Sequence, residues 1–164
     1  MNFDFQKIIK KINLKKAAFA VGGVLLLIIM YLYVRGAIKK WQDQKKTNEY
    51  VRTVESSVNS ANLTFKDHEY TDIANAIEMY LSDNTWSGWA GVDEDSIYVE
   101  MSKLNTIDDL NKVIAKFGTR TLRRRWHTAT GEYTLPQAFS FFLDLDERTE
   151  INNRLASKGI NYQF

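Results

Sequence analysis

Three consecutive carboxylates begin two residues after a glycine in the stretch WAGVDED, residues 89–95. A Ca²⁺ ion takes about six to eight oxygen ligands, so this composition raises the question of a calcium loop. The same carboxylates could instead begin the run SIYVEMSKL as a helix, because acidic side chains accept hydrogen bonds from the free N–H groups of a helix N-terminus. Ile97 and Tyr98 stand where an EF-hand requires oxygen ligands and glycine, which excludes an EF-hand. We favour helix initiation, with Asp93 as N-cap.

A second stretch that could do chemistry is FGTRTLRRRWHTATG, the only strongly basic sequence outside the N-terminal region. Arginines beside an aromatic ring can hold phosphates, lipid headgroups or a single strand of nucleic acid. The candidate interaction residues are Arg123, Arg124, Arg125 and Trp126. Because acidic residues outnumber basic ones in this part of the chain, we favour pairing of the arginines with nearby acids, and nucleic-acid binding is not favoured.

Catalytic motifs are absent from the sequence. It contains no cysteine, which excludes disulfides, thiolate zinc sites and cysteine nucleophiles. Its two histidines, His68 and His127, have no metal-ligand spacing, and the GxSxG, HExxH and phosphate-loop patterns do not occur. Carboxylate pairs are available for glycoside hydrolysis, but no pattern marks one pair. We therefore predict that the protein is not an enzyme.

An uncharged run of eighteen residues, AAFAVGGVLLLIIMYLYV at 17–34, separates Lys16 from Arg35. A helix of this length covers roughly 27 Å, close to the hydrocarbon thickness of a bilayer. The bulky residues at its end do not fit a cleavage site, which favours an uncleaved transmembrane helix over a signal peptide. The residues placed for contact with the bilayer or for close approach of another helix are Phe19, Gly22, Gly23, Tyr31, Tyr33 and Trp41.

The charges are divided unevenly along the chain. Residues 1–46 carry ten Lys/Arg and two Asp, a net +8, whereas residues 47–164 carry twelve Lys/Arg and eighteen Asp/Glu, a net −6. We expect the basic part to lie at a membrane surface, with 1–16 as a basic amphipathic segment and 35–69 as a basic stalk or linker. Five basic residues lie on each side of the uncharged run, so the orientation of the span is not predicted.

Residues 70–164 have the pattern of five short helices, and no stretch shows the alternation of a strand. Their sequences are TDIANAIEMYL, DEDSIYVEMSKL, TIDDLNKVIAKFG, TLPQAFSFFLDL and DERTEINNRLASKG. Thr71 or Asp72 is the expected cap of the first helix, and Thr106 with Asp109 resembles a capping box at the start of the third. The sequence therefore predicts an all-α protein, with a single transmembrane helix followed by a small five-helix domain.

The order of these helices, with a glycine–acid loop between the first two, resembles a single annexin repeat over about residues 70–160. The annexin loop pattern is Gly-x-Gly-Thr-Asp-Glu, and WAGVDED keeps Gly91, Asp93 and Glu94. The chain is similar to the annexin-like domains that occur singly in proteins of Bacteroidetes bacteria and their phages. The resemblance implies an annexin-like helical domain.

The resemblance also implies a place for calcium. In annexins the ion lies on backbone carbonyls of the glycine loop and on a carboxylate further along the chain, which correspond here to Gly91 and Glu132. Trp89 and Val92 replace the first glycine and the threonine of the loop pattern, which leaves few oxygen ligands for such a cation. We therefore predict no resident cofactor, with calcium as the alternative.

These observations predict a non-enzymatic, single-pass membrane protein whose helical domain serves as a structural or assembly module. The preferred setting is the virion of a lipid-containing bacteriophage, where the protein would link the internal membrane to the capsid. The alternative is a bacterial inner-membrane protein with a calcium-dependent, phospholipid-binding annexin-like domain. The expected partners are the lipid bilayer and capsid or other membrane proteins.

Overall fold

The computed structural model of the chain describes residues 14–82, 92–123 and 130–164, with side chains for 25–82, 92–122 and 131–164. The helices in these ranges are α1 Leu14–Ser57, α2 Asp67–Leu81, α3 Glu94–Lys103, α4 Ile107–Phe117, α5 Leu135–Phe142 and α6 Leu145–Ala156. A 3₁₀ turn at Ser60–Asn62 follows α1, and the strands β1 Arg120–Arg123 and β2 Thr130–Tyr133 lie between α4 and α5. The described chain is mostly helical, which confirms the predicted all-α class.

The chain divides into two units, Met1–Lys45 and Lys46–Phe164, and we call the second unit the head. Most of the predicted amphipathic segment 1–16 lies outside the described residues. Helix α1 runs without a break through the charged boundary at Arg35. Within the described part of the chain, no helix is long and apolar enough to cross a membrane. The side chains of residues 17–24, the first part of the predicted span, are not among those described.

The head is organised around one apolar core. Helix α2 packs against α3 and α4, α3 also packs against α6, and α4 packs against α5. Tyr70, Phe117 and Phe139 are the largest of the fully buried side chains in the described residues. Burial of one aromatic or large aliphatic side chain contributes about 1.5–3 kcal/mol, so this shared core is what holds the short helices together.

The five predicted head helices are all present, and their local start and stop signals are visible. Asp93 caps α3, since its Oδ1 accepts a hydrogen bond from the Ser96 N–H at 3.1 Å. Thr106 and Asp109 form the predicted capping box of α4, with the Asp109 N–H donating to Thr106 Oγ1 at 3.0 Å. Gly118 ends α4 with a φ of 57°, a conformation that suits glycine.

Helix α2 begins earlier than predicted. Its first residue is Asp67, ahead of the expected cap at Thr71 or Asp72. The Glu69 carboxylate accepts a hydrogen bond from the Lys66 N–H at 2.6 Å, which provides an acidic partner for the free backbone at this earlier start.

The prediction that no strand occurs is wrong, because β1 and β2 form a short antiparallel hairpin. Leu122 is buried while its neighbour Thr121 is exposed, which is the alternation of a strand, but four residues are too few to show it clearly in the sequence. A Cβ on Gly131 would lie 2.6 Å from the ring of Tyr133, so a larger residue at this position would require that ring to move.

The compact head begins at Lys46, earlier than the predicted domain boundary at residue 70. Val54, Leu63 and Phe65 pack against the core, although they lie in the stretch assigned to the linker 35–69. Phe65 meets the ring of Tyr70 edge-on, with the centroids 5.7 Å apart. The polar composition of this stretch is typical of a linker, but its few apolar residues are used for packing.

Candidate functional site

The first part of α1 carries a continuous apolar surface. All ten side chains of residues 25–34 are exposed, from 47% for Val34 to 79% for Tyr33. Ten consecutive positions cover every side of a helix, so the surface is not one face turned toward a core. We call residues 25–34 the apolar surface. In other proteins, contiguous exposed apolar surface is typical of sites that contact lipid or another protein.

The predicted membrane-contact residues divide into two groups. Tyr31, Tyr33 and Trp41 are exposed on α1, Trp41 at 64%. Phe19, Gly22 and Gly23 lie in the helical backbone of α1, but their side chains are outside those described. Beyond the apolar surface, Lys45 reaches back toward Trp41, with its Nζ 5.8 Å from the ring centroid.

A buried carboxylate stands at the N-terminus of α4. Asp109 is completely buried, and both of its oxygens accept hydrogen bonds. The Tyr70 hydroxyl donates at 2.5 Å, the Thr64 Oγ1 hydroxyl at 2.7 Å and the Thr64 N–H at 2.9 Å. The N–H groups of Asn105 and Thr106 donate at 3.1 and 3.2 Å. These donors come from three separate parts of the head, which the single carboxylate joins.

The adjacent Asp108 holds the start of the same polar segment. Its Oδ1 accepts from the Asn59 N–H and its Oδ2 from the Asn62 side-chain amide, both at 2.8 Å. The Thr106 hydroxyl donates to the Asn62 carbonyl at 3.1 Å. We call Asp108 and Asp109 the carboxylate latch, since together they fix residues 59–64 to the start of α4.

The carboxylate oxygens of the latch already accept hydrogen bonds from other groups of the head. Burial acts to raise the pKa of Asp109, but hydrogen bonds from Tyr70 and Thr64 outweigh it and hold that pKa below its ordinary value. Burial, together with Asp109, raises the pKa of Tyr70 to about 12. A carboxylate whose oxygens are already taken by donors is poorly placed to bind a metal ion or to accept a substrate proton. The arrangement suits a structural role.

Sequence reasoning identified Asp109 only as part of a capping box. Its partner Thr64 lies 45 residues away along the chain, so periodicity could not connect them. The available signal was the pair of adjacent aspartates in a first helical turn, combined with the donor-rich stretch NSANLT at residues 59–64. Nothing in the sequence of the two aspartates indicates that NSANLT is their partner, and nothing in NSANLT indicates the aspartates.

A second contact joins the last turns of α1 to the C-terminus within the head. The hydroxyls of Tyr50 and Tyr162 are 3.3 Å apart. The pKa of Tyr162 is raised, mainly by burial and to a smaller extent by this hydrogen bond. Tyr162 contacts Phe164, whose ring lies 4.8 Å from that of the buried Phe139. The C-terminal residues are therefore part of the packed head.

The stretch considered as a calcium loop contains a helix cap. Besides its bond to the Ser96 N–H, Asp93 accepts from the Ser96 hydroxyl at 2.7 Å, so both of its oxygens serve the start of α3. Gly91 lies outside the described residues, and Glu132 is exposed on β2 opposite Thr121. Among the residues that the structure describes, no cluster of three or more His, Cys, Asp or Glu side chains could hold a metal ion. Calcium binding at Gly91 and Glu132 stays the alternative that the sequence left open.

The basic stretch is described only at its beginning. Arg120 pairs with Glu78 and donates to Asn75 Oδ1 at 2.9 Å, and Lys116, which directly precedes the stretch, pairs with Asp67 at 2.6 Å. These contacts agree with the favoured pairing of basic residues with acids. β1 ends at Arg123 and β2 begins at Thr130, and the side chain of Arg123 is not described. Arg124, Arg125 and Trp126 lie outside the described residues.

Comparison of the chain with models of known families, with curated proteins and with solved structures finds no match. The annexin-like character of the helical domain therefore stays a prediction from the sequence.

Proposed function

We propose that this protein is a non-enzymatic, single-pass membrane anchor whose head binds another protein of an assembly. The observation that carries the proposal is the apolar surface at 25–34, whose side chains are exposed on all sides of an unbroken helix. It is the second part of the uncharged run 17–34. Leaving one aliphatic or methionine side chain in water costs about 1.5–3 kcal/mol relative to burial, so the eight such side chains of this surface favour a lipid environment strongly.

The head supports a binding or assembly role better than a catalytic one. The two carboxylates with a lowered pKa in the described residues are held by other side chains of the fold: Asp109 by Tyr70 and Thr64, and Asp67 by Lys116 and Lys112. A catalytic acid or base has to be free to exchange its proton with a substrate. These groups stabilise the fold instead.

Membrane extraction tests the proposal directly. We expect the full chain, expressed in bacteria, to stay with the membrane pellet in alkaline carbonate. The double variant Ile28→Lys with Leu32→Lys should move to the soluble fraction, because a central lysine costs about 3 kcal/mol in a transmembrane helix. Val99→Lys, which changes an exposed apolar residue of α3, is the matched control and should stay in the pellet. Extraction of the unmodified chain by carbonate would contradict the proposal.

The virion setting predicted from the sequence has a separate test. If the protein links an internal membrane to a capsid, purified lipid-containing particles should contain it, and solvent removal of the lipid should leave part of it with the protein shell. Its absence from such particles would leave the host inner membrane as the setting of the anchor.

A further inference from the structure

The surface of α1 does not become uniformly polar after the apolar surface ends. Val34, Ile38 and Trp41 follow one another at spacings of four and three residues, so they share one face of the helix. All three are exposed, Ile38 at 51%. One apolar face therefore continues for about two turns beyond Val34, past the charge at Arg35.

Cationic side chains lie beside this face. Lys45 is one turn beyond Trp41, and its Nζ lies over the indole ring at 5.8 Å from the centroid. Arg35 and Lys39 are four residues apart and therefore on a common side of the helix, and Lys40 is exposed as well. Residues 35–45 contain four basic residues and one acidic residue. The segment combines an indole, an apolar face and a net positive charge.

We propose that residues 34–45 bind the headgroups of anionic phospholipids at the end of the apolar surface. The inference rests on the proposed function, because the anchor is what brings this segment to a bilayer. Indole rings favour the level of the headgroups, where one edge is apolar and the other is hydrated. Lysine and arginine stems lie along apolar surface while their charged ends reach the phosphates. The contact between Lys45 and Trp41 holds a cation at the level of the ring.

A second copy of the chain fits this face less well than lipid does. Two parallel copies joined through Val34, Ile38 and Trp41 would bring the lysines at 39 and 45 of one copy near those of the other. Like charges at such positions repel, whereas an anionic headgroup layer has the complementary charge. Charge therefore selects lipid as the occupant.

Quenching of Trp41 by brominated lipid tests this inference on the full chain. The protein is reconstituted in vesicles that contain equal amounts of phosphatidylcholine and phosphatidylglycerol, with one or the other lipid brominated near the headgroup end of its acyl chains. The chain has four tryptophans, so the signal of Trp41 is obtained by subtracting that of a Trp41→Phe variant. We expect brominated phosphatidylglycerol to quench Trp41 more strongly than brominated phosphatidylcholine does.

Charge variants give the control. In the triple variant Lys39→Gln, Lys40→Gln and Lys45→Gln, the two lipids should quench Trp41 nearly equally, while Lys→Arg at the same positions should keep the preference. Salt at about 1 M, where the Debye length is about 3 Å, should reduce the preference of the unmodified chain. Equal quenching by both lipids in the unmodified chain would overturn this inference while leaving the anchor in place. No quenching by either lipid would contradict the anchor itself.

Discussion

The same kinds of apolar residue have opposite environments in the two units of the chain. In α1, Leu27 and Ile28 are exposed at 64% and 48%, whereas in the head Ile77 and Leu110 are completely buried. Side chains of the head find partners among the other elements of the head. Those of the apolar surface cover all sides of one helix, and in our proposal lipid supplies their environment. The comparison shows that hydrophobicity alone does not define a core: spacing decides which apolar residues can share one.

Truncating one apolar side chain in each unit should give the largest difference in the stability of the head. Phe139→Ala removes a fully buried ring and should destabilise the head by about 3–5 kcal/mol. Leu27→Ala removes an exposed side chain and should leave the unfolding of the head unchanged. Thermal unfolding of the full chain in detergent, followed by near-ultraviolet circular dichroism, measures both. Equal effects of the two variants would show that the two environments are not distinct.

Breaking the carboxylate latch should have the next largest effect, and it should be confined to the head. Asp109→Asn keeps the shape of the side chain but removes the charge, so the donors from Tyr70 and Thr64 lose their charged acceptor. We expect a loss of about 2–3 kcal/mol, since hydrogen bonds to charged groups are the stronger ones. Asp72→Asn, a change at an exposed position of α2, is the control and should have little effect. A latch variant as stable as the control would refute the structural role.

The pH should affect the stability of the head through Asp109 and Tyr70. Because the pKa of Asp109 is lower in the folded head than its ordinary value of 3.8, its contribution is present above that value and is lost as the pH falls through the folded pKa. For Tyr70 the pKa rises from 10.0 to about 12, so its contribution is present below pH 10 and is lost as the pH rises toward 12. Unfolding in denaturant across this pH range measures both limits. Asp109→Asn should weaken the dependence at each end, and an unchanged profile would show that other groups are responsible.

The parts of the fold that could be predicted from the sequence are those encoded by neighbouring residues. The box formed by Thr106 and Asp109 and the stop at Gly118 lie within one or two turns of each other, so their spacing identifies α4 directly. The hairpin could not be recognised, since its strands have four residues each and β1 begins and ends with arginine. Leu122 is buried as part of the shared core of the head, which a four-residue pattern does not reveal.

The candidate site shows the same limit. The apolar surface is visible in the sequence because its residues are consecutive. The latch is not, because Thr64 and Asp109 come together only when α4 packs beside the segment that follows α1. The polar residues that gave this segment the appearance of a linker are the donors that bind it to the head.

Lipid accessibility of single positions tests the central claim most directly. Because the chain has no cysteine, one cysteine can be introduced at Leu27 and, in a second protein, at Val99, and each can carry a spin label. In vesicles containing the full chain, the label of Leu27→Cys should be reached by oxygen, which concentrates in the bilayer, and protected from a water-soluble nickel relaxation agent. The label of Val99→Cys should show the opposite behaviour. If the label at position 27 is as accessible to the nickel agent as the label at position 99, the apolar surface is not in lipid and the account is contradicted.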